Sequence, residues 1–251
     1  MRIFRISAVC LGLLLAVPAA RAQNDDPKAV IEKAVKAHGG EEALTKHPAY
    51  RAKLKGALEV MGLSLDFSSE GLMTRNDRMR SEIVLEVMGV KVSVVQVFNG
   101  QQGWMKVGDE DTKEVEEEHL KEMKEEGHSV RVGSLAPLLK DKAYTLTYLG
   151  EIKVGDKPAV GVKVQAKGFR EIDLWFDKAS GLMVKTQRTT YDLTARKEVL
   201  KETYLSDYQE ANGVKHARKV RIDQDGKKLL EGEITEYKVL DKVDDREFAK
   251  P

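Results

Sequence analysis

Five histidines, His38, His47, His119, His128 and His216, are the side chains in this 251-residue chain best suited to proton transfer or metal ligation. None lies three or four positions from another, so no helical turn presents a ligand pair. The single cysteine, Cys10, falls in an N-terminal apolar run, and thiol catalysis and cysteine zinc sites drop out with that run. Asp223-Gln224-Asp225-Gly226 opens like a calcium loop. Glycine then stands fourth rather than sixth, Lys227 takes a ligand position, and Ile234 falls where a bidentate Glu is needed. That segment reads as a hairpin turn. Asp109-Glu110-Asp111 and Glu114, Glu116, Glu117, Glu118, Glu122, Glu125 and Glu126 supply carboxylates for acid–base work. Crowded at one helix start and interleaved with Lys121 and Lys124, they read instead as a solvated face or a docking surface for a basic partner. G-x-S-x-G, S-x-x-K, H-E-x-x-H and Gly-rich phosphate loops are absent from the sequence. An enzyme needs a convergent polar site that the sequence does not display, so neither catalysis, a metal nor any cofactor is expected.

The compartment follows from the first 22 residues. Arg2 and Arg5, an apolar run from Ile6 to Val17, Pro18, and Ala20 and Ala22 around Arg21 form a secretory leader cut between Ala22 and Gln23. The run is too short to span a bilayer, which needs about 20 apolar residues. Cys10 is badly placed for a lipid anchor. Lys and Arg total 42 against 41 Asp and Glu; without the leader's three arginines the balance is slightly negative, which removes the electrostatic case for nucleic acid. A 229-residue exported chain without cysteine must be held by its core alone, as suits a periplasm.

What would position any site is a sheet. Asp26 as N-cap, Pro27 at the first helical position and Gly39-Gly40 past the end bracket one helix over Lys28 to His38. From about Tyr50 the period changes to two. Turn pairs at Met61-Gly62, Asn76-Asp77, Met88-Gly89, Asn99-Gly100, Gly155-Asp156, Lys178 to Gly181, Asn212-Gly213 and Asp225-Gly226 separate roughly ten to twelve strands. Glu114 to Glu126, and then Ser129 to Leu139 as a second helix, interrupt this meander. No linker divides the strands before and after, so residues 23–251 are expected to form one domain with one continuous sheet, which at that size curls, closes or splits into a sandwich.

Leu63, Leu65 and Phe67 alternate with Ser64, Asp66 and Ser68, which gives that strand one dry and one wet face. Around Val84, Leu85, Met88, Val94 and Val95 apolar groups fall on both faces, and such strands need cover on both. Met61, Met73, Met79, Met88, Met105, Met123 and Met183 are flexible apolar groups suited to lining a cavity, or to filling a core. Trp104 follows the Asn99 to Gly103 turn as a hairpin anchor. Trp175 shares its face with Asp173 and Asp177 opposite Ile172, Leu174 and Phe176, at a cavity mouth, an interface or an ordinary cross-strand contact.

Ile172-Asp173-Leu174-Trp175-Phe176-Asp177-Lys178-Ala179-Ser180-Gly181-Leu182 resembles the strand, Asp-x-x-x-Gly-Leu turn, strand unit of outer-membrane lipoprotein-sorting proteins of the LolA type. Asn99-Gly100 to Trp104, Asn212-Gly213-Val214-Lys215 and the close Val243-Asp244-Asp245 with Phe248 are similar to features of the same family. The resemblance spans essentially the whole mature chain. It implies a mainly β fold, α+β in class: a curled antiparallel half-barrel of about eleven strands with an N-terminal helix and a mid-chain helical lid. Its apolar concavity would hold acyl chains during periplasmic transfer.

The resulting expectation is a monomeric, non-enzymatic periplasmic carrier of lipoprotein or lipid acyl chains, with inner- or outer-membrane proteins as further partners. Candidate lining residues are Leu63, Leu65, Phe67, Met73, Met79, Leu85, Met88, Val94 and Trp175. The alternative is an envelope interaction or sensor module that binds a protein partner on the same sheet.

Overall fold

A computed structural model describes residues 26–60 and 62–251. The leader, its cleavage at Ala22 and Gln23, and Met61 lie outside the described residues.

Helix α1 (Pro27–Ala37) begins as the sequence dictates, with the Asp26 side chain accepting from the Lys28 amide at 2.9 Å and proline at the first position. Gly39, at φ 120°, does not end the helical region. It reverses the chain into α2 (Gly40–Lys46), a helix the glycine pair concealed. Only glycine fits there: a Cβ at Gly39 would lie 1.9 Å from the Gly213 carbonyl oxygen.

Strands follow as β1 (Ala49–Val60), β2 (Leu63–Thr74), β3 (Met79–Val87), β4 (Val90–Phe98), β5 (Gly103–Val107) and the two-residue β6 (Lys113–Glu114). After helix α3 (Glu117–Gly133) and a 3-10 turn (Ala136–Leu139) come β7 (Tyr144–Val154), β8 (Lys157–Ala166), β9 (Ile172–Asp177) and β10 (Met183–Asp192). Then β11 (Lys197–Ala211), β12 (Val214–Gln224) and β13 (Lys227–Leu240) complete the sheet, and a 3-10 turn spans Asp245–Phe248. Among the described residues the strands number thirteen rather than about eleven, and β6, at two residues, is too short to show a period of two. The mainly β, half-barrel expectation holds.

Every strand pairs antiparallel with its sequence neighbours except β6 and β7, which do not pair, and β1 pairs in addition with β13, so the first and last strands meet in mid-sheet. The edges are β6 and β7, and the segment joining them is α3 with its 3-10 turn. Curvature follows from that helix. Met123 packs with Met79 and Phe98 on β3 and β4, while Glu126, one turn on, pairs with Arg188 on β10 and Lys201 on β11. β4 and β10 stand seven steps apart in the sheet, about 34 Å if it were flat. One helix reaches both only because the sheet curls around it.

α3 corrects the expectation of two helices. Gly127 does not break it; glycine there admits the Asp77 carbonyl, which would lie 2.8 Å from a Cβ. The break comes at Leu135, with φ 64°. The solvated-face reading is corrected for three glutamates: Glu122 bonds Arg170 at 2.6 Å, Glu125 accepts from the Arg170 amide, and Glu126 points at the sheet.

Two cores result. On the inner face, Ile31, Val35 and Leu44 of α1 and α2, Val132 of α3, and Leu135 and Leu138 beyond it meet Val162, Val164, Ile172, Leu174 and Phe176. On the outer face, Leu72, Val97 and Trp104 lie under Phe248, so the C-terminal segment supplies the second cover that the doubly apolar strands demanded. The outer face is otherwise ionic in part, with Arg51 bridging Glu70 and Glu247 at 2.6 and 3.0 Å.

Candidate functional site

Residues opposed in an antiparallel ladder share a face, so register alone maps the inner surface. Tyr50 and Ala52 of β1 face inward, and Tyr50 opposes Met73. Met73 opposes Met79, which opposes Phe98 beneath α3. Along the same rows Leu63, Leu65 and Phe67 of β2 share the face of Met73, Phe67 opposes Leu85, and Leu85 opposes Val92. Ile83 opposes Val94. No register shift interrupts these three ladders. Seven of the candidate lining residues, Leu63, Leu65, Phe67, Met73, Met79, Leu85 and Val94, are therefore brought onto one surface. Phe67 is buried at 7% exposure, Leu85 and Val94 are half-buried, and Leu63 at the sheet rim is 63% exposed.

Two candidates lie elsewhere. Met88 sits at φ 52° on the tip of the β3–β4 turn and is 99% exposed. Trp175 faces outward, opposite to Leu174, and its ring covers Gly161, whose Cβ would come 2.4 Å from the indole.

Higher on the inner face, between β1, β2, β10 to β13 and the helices, lies a cavity of about 380 Å³, within the range of small-molecule sites. Met73 joins it to the apolar surface below. Its walls carry aromatic groups: Tyr237 stacks on Tyr50 at 5.2 Å and on His216 at 4.1 Å, and the His38 ring meets Tyr208 edge-on at 5.5 Å. Tyr208 donates to the Met183 carbonyl at 2.6 Å. Burial raises the pKa of Tyr237 to about 12 and that of Tyr50 further, so both phenols stay neutral donors. Burial likewise lowers His38 and His216, which favours their neutral form.

The ionic centre is Glu126. Lys201, followed by Arg188, draws its carboxyl down to about 2 against the opposing effect of burial. Two turns of chemistry flank it on α3: His128 stacks on Phe169 at 3.9 Å, and burial lowers it to about 4, while Arg131 reaches Asp141 at 3.3 Å and Asp77 at 3.8 Å. These contacts fasten α3 to both halves of the sheet. Sequence reading missed Tyr50, Arg75 and Tyr237, and it named His216 and Glu126 without placing them at a cavity, because each comes singly from a different element. The one available signal was Arg188, a cation at an inward position between Thr186 and Thr190. Among the described residues no group of three or more His, Cys, Asp or Glu is placed to hold a metal, and no helix is long and apolar enough to cross a membrane.

No family model matches the chain, and no curated protein does either. Among solved structures it is similar to a DUF1329 family protein from Desulfovibrio piger, at 13% identity over 89% of this chain and 97% of that one, with a TM-score of 0.55. A domain assigned to outer membrane lipoprotein sorting, from Vibrio parahaemolyticus, is 11% identical over 91% and 98%, with a TM-score of 0.55. A LolA superfamily protein from Nitrosomonas europaea is 10% identical over 89% and 97%, with a TM-score of 0.53. At such identity the likeness is one of fold, and the fold of this chain is the one these lipoprotein-sorting and LolA superfamily structures share.

Proposed function

We propose that the mature chain, residues 23–251, is a periplasmic carrier without enzymatic activity that shields acyl chains of lipoproteins or lipids on the inner face of its half-barrel. The observation that carries this reading is the apolar patch of Leu63, Leu65, Phe67, Ile83, Leu85 and Val94 on the inner face, which Leu54 and Ala52 of β1 link, alongside the polar positions Ser69, Ser81 and Gln96, to Met73 and the cavity. Each methylene buried there contributes about 0.8 kcal/mol, so affinity grows with chain length and needs no specific polar contact. Helix α3, pinned by Glu126, Arg170 and Arg131, acts as the lid.

The test is native mass spectrometry with lipid extraction on mature protein purified from a periplasm without detergent, joined to binding of an apolar dye. An acyl-chain adduct displaced by added lipid is expected, and Leu85→Asp or Val94→Asp should cut dye binding at least fivefold with the circular dichroism spectrum kept. A clean apo mass with no lipid uptake would overturn the carrier reading in favour of the protein-binding module. Both variants fully folded with dye binding unchanged would remove those two residues from the lining.

A further inference from the structure

The cavity walls hold more positive than negative charge. Arg75, just beyond β2, lines the cavity and uses its Nε to donate to the His47 carbonyl at 2.6 Å. Among the described residues no carboxylate pairs with this guanidinium; burial lowers its pKa, and the nearby Tyr237 phenol, itself neutral, is the one group that opposes this. Lys215 stands on the same wall, close enough for its charge to depress His38, and no ion pair holds it among the described residues. Deeper in, among the described residues, the Glu126 carboxylate alone answers both Arg188 and Lys201, and Arg188 Nη1 is buried without a partner. A cation half removed from water and left unpaired is costly, and an anion brought against it offsets that cost. A guanidinium fork suits a carboxylate or phosphate in particular, because both can accept two parallel hydrogen bonds.

We infer that the cavity takes an amphiphile with an anionic head group, a carboxylate or a phosphate ester, seated at Arg75 near the Tyr237 and His216 rings, with its chain running past Met73 onto the apolar inner face. The inference rests on the acyl-chain reading above and adds the head group to it. Arg75 then sets selectivity, while the apolar face sets affinity.

The test is calorimetric titration of mature protein at pH 7 with oleate, oleoyl lysophosphatidate and monoolein, each below its aggregation threshold. One or both anionic ligands should bind at least tenfold more tightly than monoolein, and which of them does so separates the carboxylate from the phosphate source. Arg75→Gln should remove most of that preference, leave monoolein within twofold, and be partly restored in Arg75→Lys. Should Arg75→Gln fail to fold, Lys215→Gln, at an exposed position, is expected to lower anionic binding severalfold by itself. Equal affinity for oleate, lysophosphatidate and monoolein would overturn the head-group inference while leaving the carrier standing. Absence of binding by all three would overturn the carrier reading itself, and this inference with it.

Discussion

At the scale of single residues the ionic contacts of α3 make the fold acid-sensitive in a defined order. His128, ordinarily near 6.5, is held at about 4 in the folded chain, so the unfolded chain takes up its proton first and stability falls as pH drops from 6.5 to 4. Glu126, ordinarily near 4.5, is held at about 2, so the stability it contributes is present above 4.5 and is lost as pH falls towards 2. Urea unfolding at a series of pH values should show both losses, and His128→Phe, which keeps the stack on Phe169, should flatten the first while leaving the second. Glu126→Gln should remove the second and lower stability at pH 7 by about 1–3 kcal/mol, because Arg188, its side chain 6% exposed, loses its charged acceptor. An unchanged profile in either variant would assign that loss to other groups. The histidines were legible in the sequence as candidate proton carriers. The desolvation that lowers His38, His119, His128 and His216 was not, because it depends on what packs against each ring.

At the scale of elements, the junction of α1 and α2 is keyed into the β11–β12 hairpin. The Lys215 amide donates to the His38 carbonyl at 3.0 Å, and Gly39 admits the Gly213 carbonyl. Gly39→Ala should therefore destabilise the protein by roughly 2–4 kcal/mol, from the clash and the positive φ together, with a matching fall in urea midpoint. A loss under 1 kcal/mol would mean that the hairpin is free to shift away. The sequence displayed both partners of this contact, Gly39-Gly40 and Asn212-Gly213, as turn signals. It could not display that they touch, and so Gly39 read as the end of a helix instead of the pivot between two. Much the same holds for Gly127, whose role within α3 depends on the Asp77 carbonyl approaching from the β2–β3 turn.

At the scale of the molecule, the pairing of β1 with β13 places the first and last long strands side by side at the centre of the sheet. Neither half has a complete inner face alone, so the protein should unfold in a single transition by both tryptophan fluorescence and circular dichroism. Truncation before Lys227 should abolish the native spectrum; a truncated chain that keeps it would show that β1 and β12 find each other without β13. The sequence by itself determined the strand succession, the turns, the N-cap at Asp26 and the two-faced character of β2 to β4, because these depend on neighbours one to four positions away. The resemblance carried by Ile172 to Leu182 implied the half-barrel class, and the alternation of apolar residues picked out seven that share one inner surface. The tertiary structure alone decided where that surface leads, that Trp175 looks outward while Met88 stands exposed, and which charges enter the cavity. Those outcomes depend on strands up to seven steps apart being curled against one helix, and on carboxylates such as Glu126 meeting cations 62 and 75 residues away.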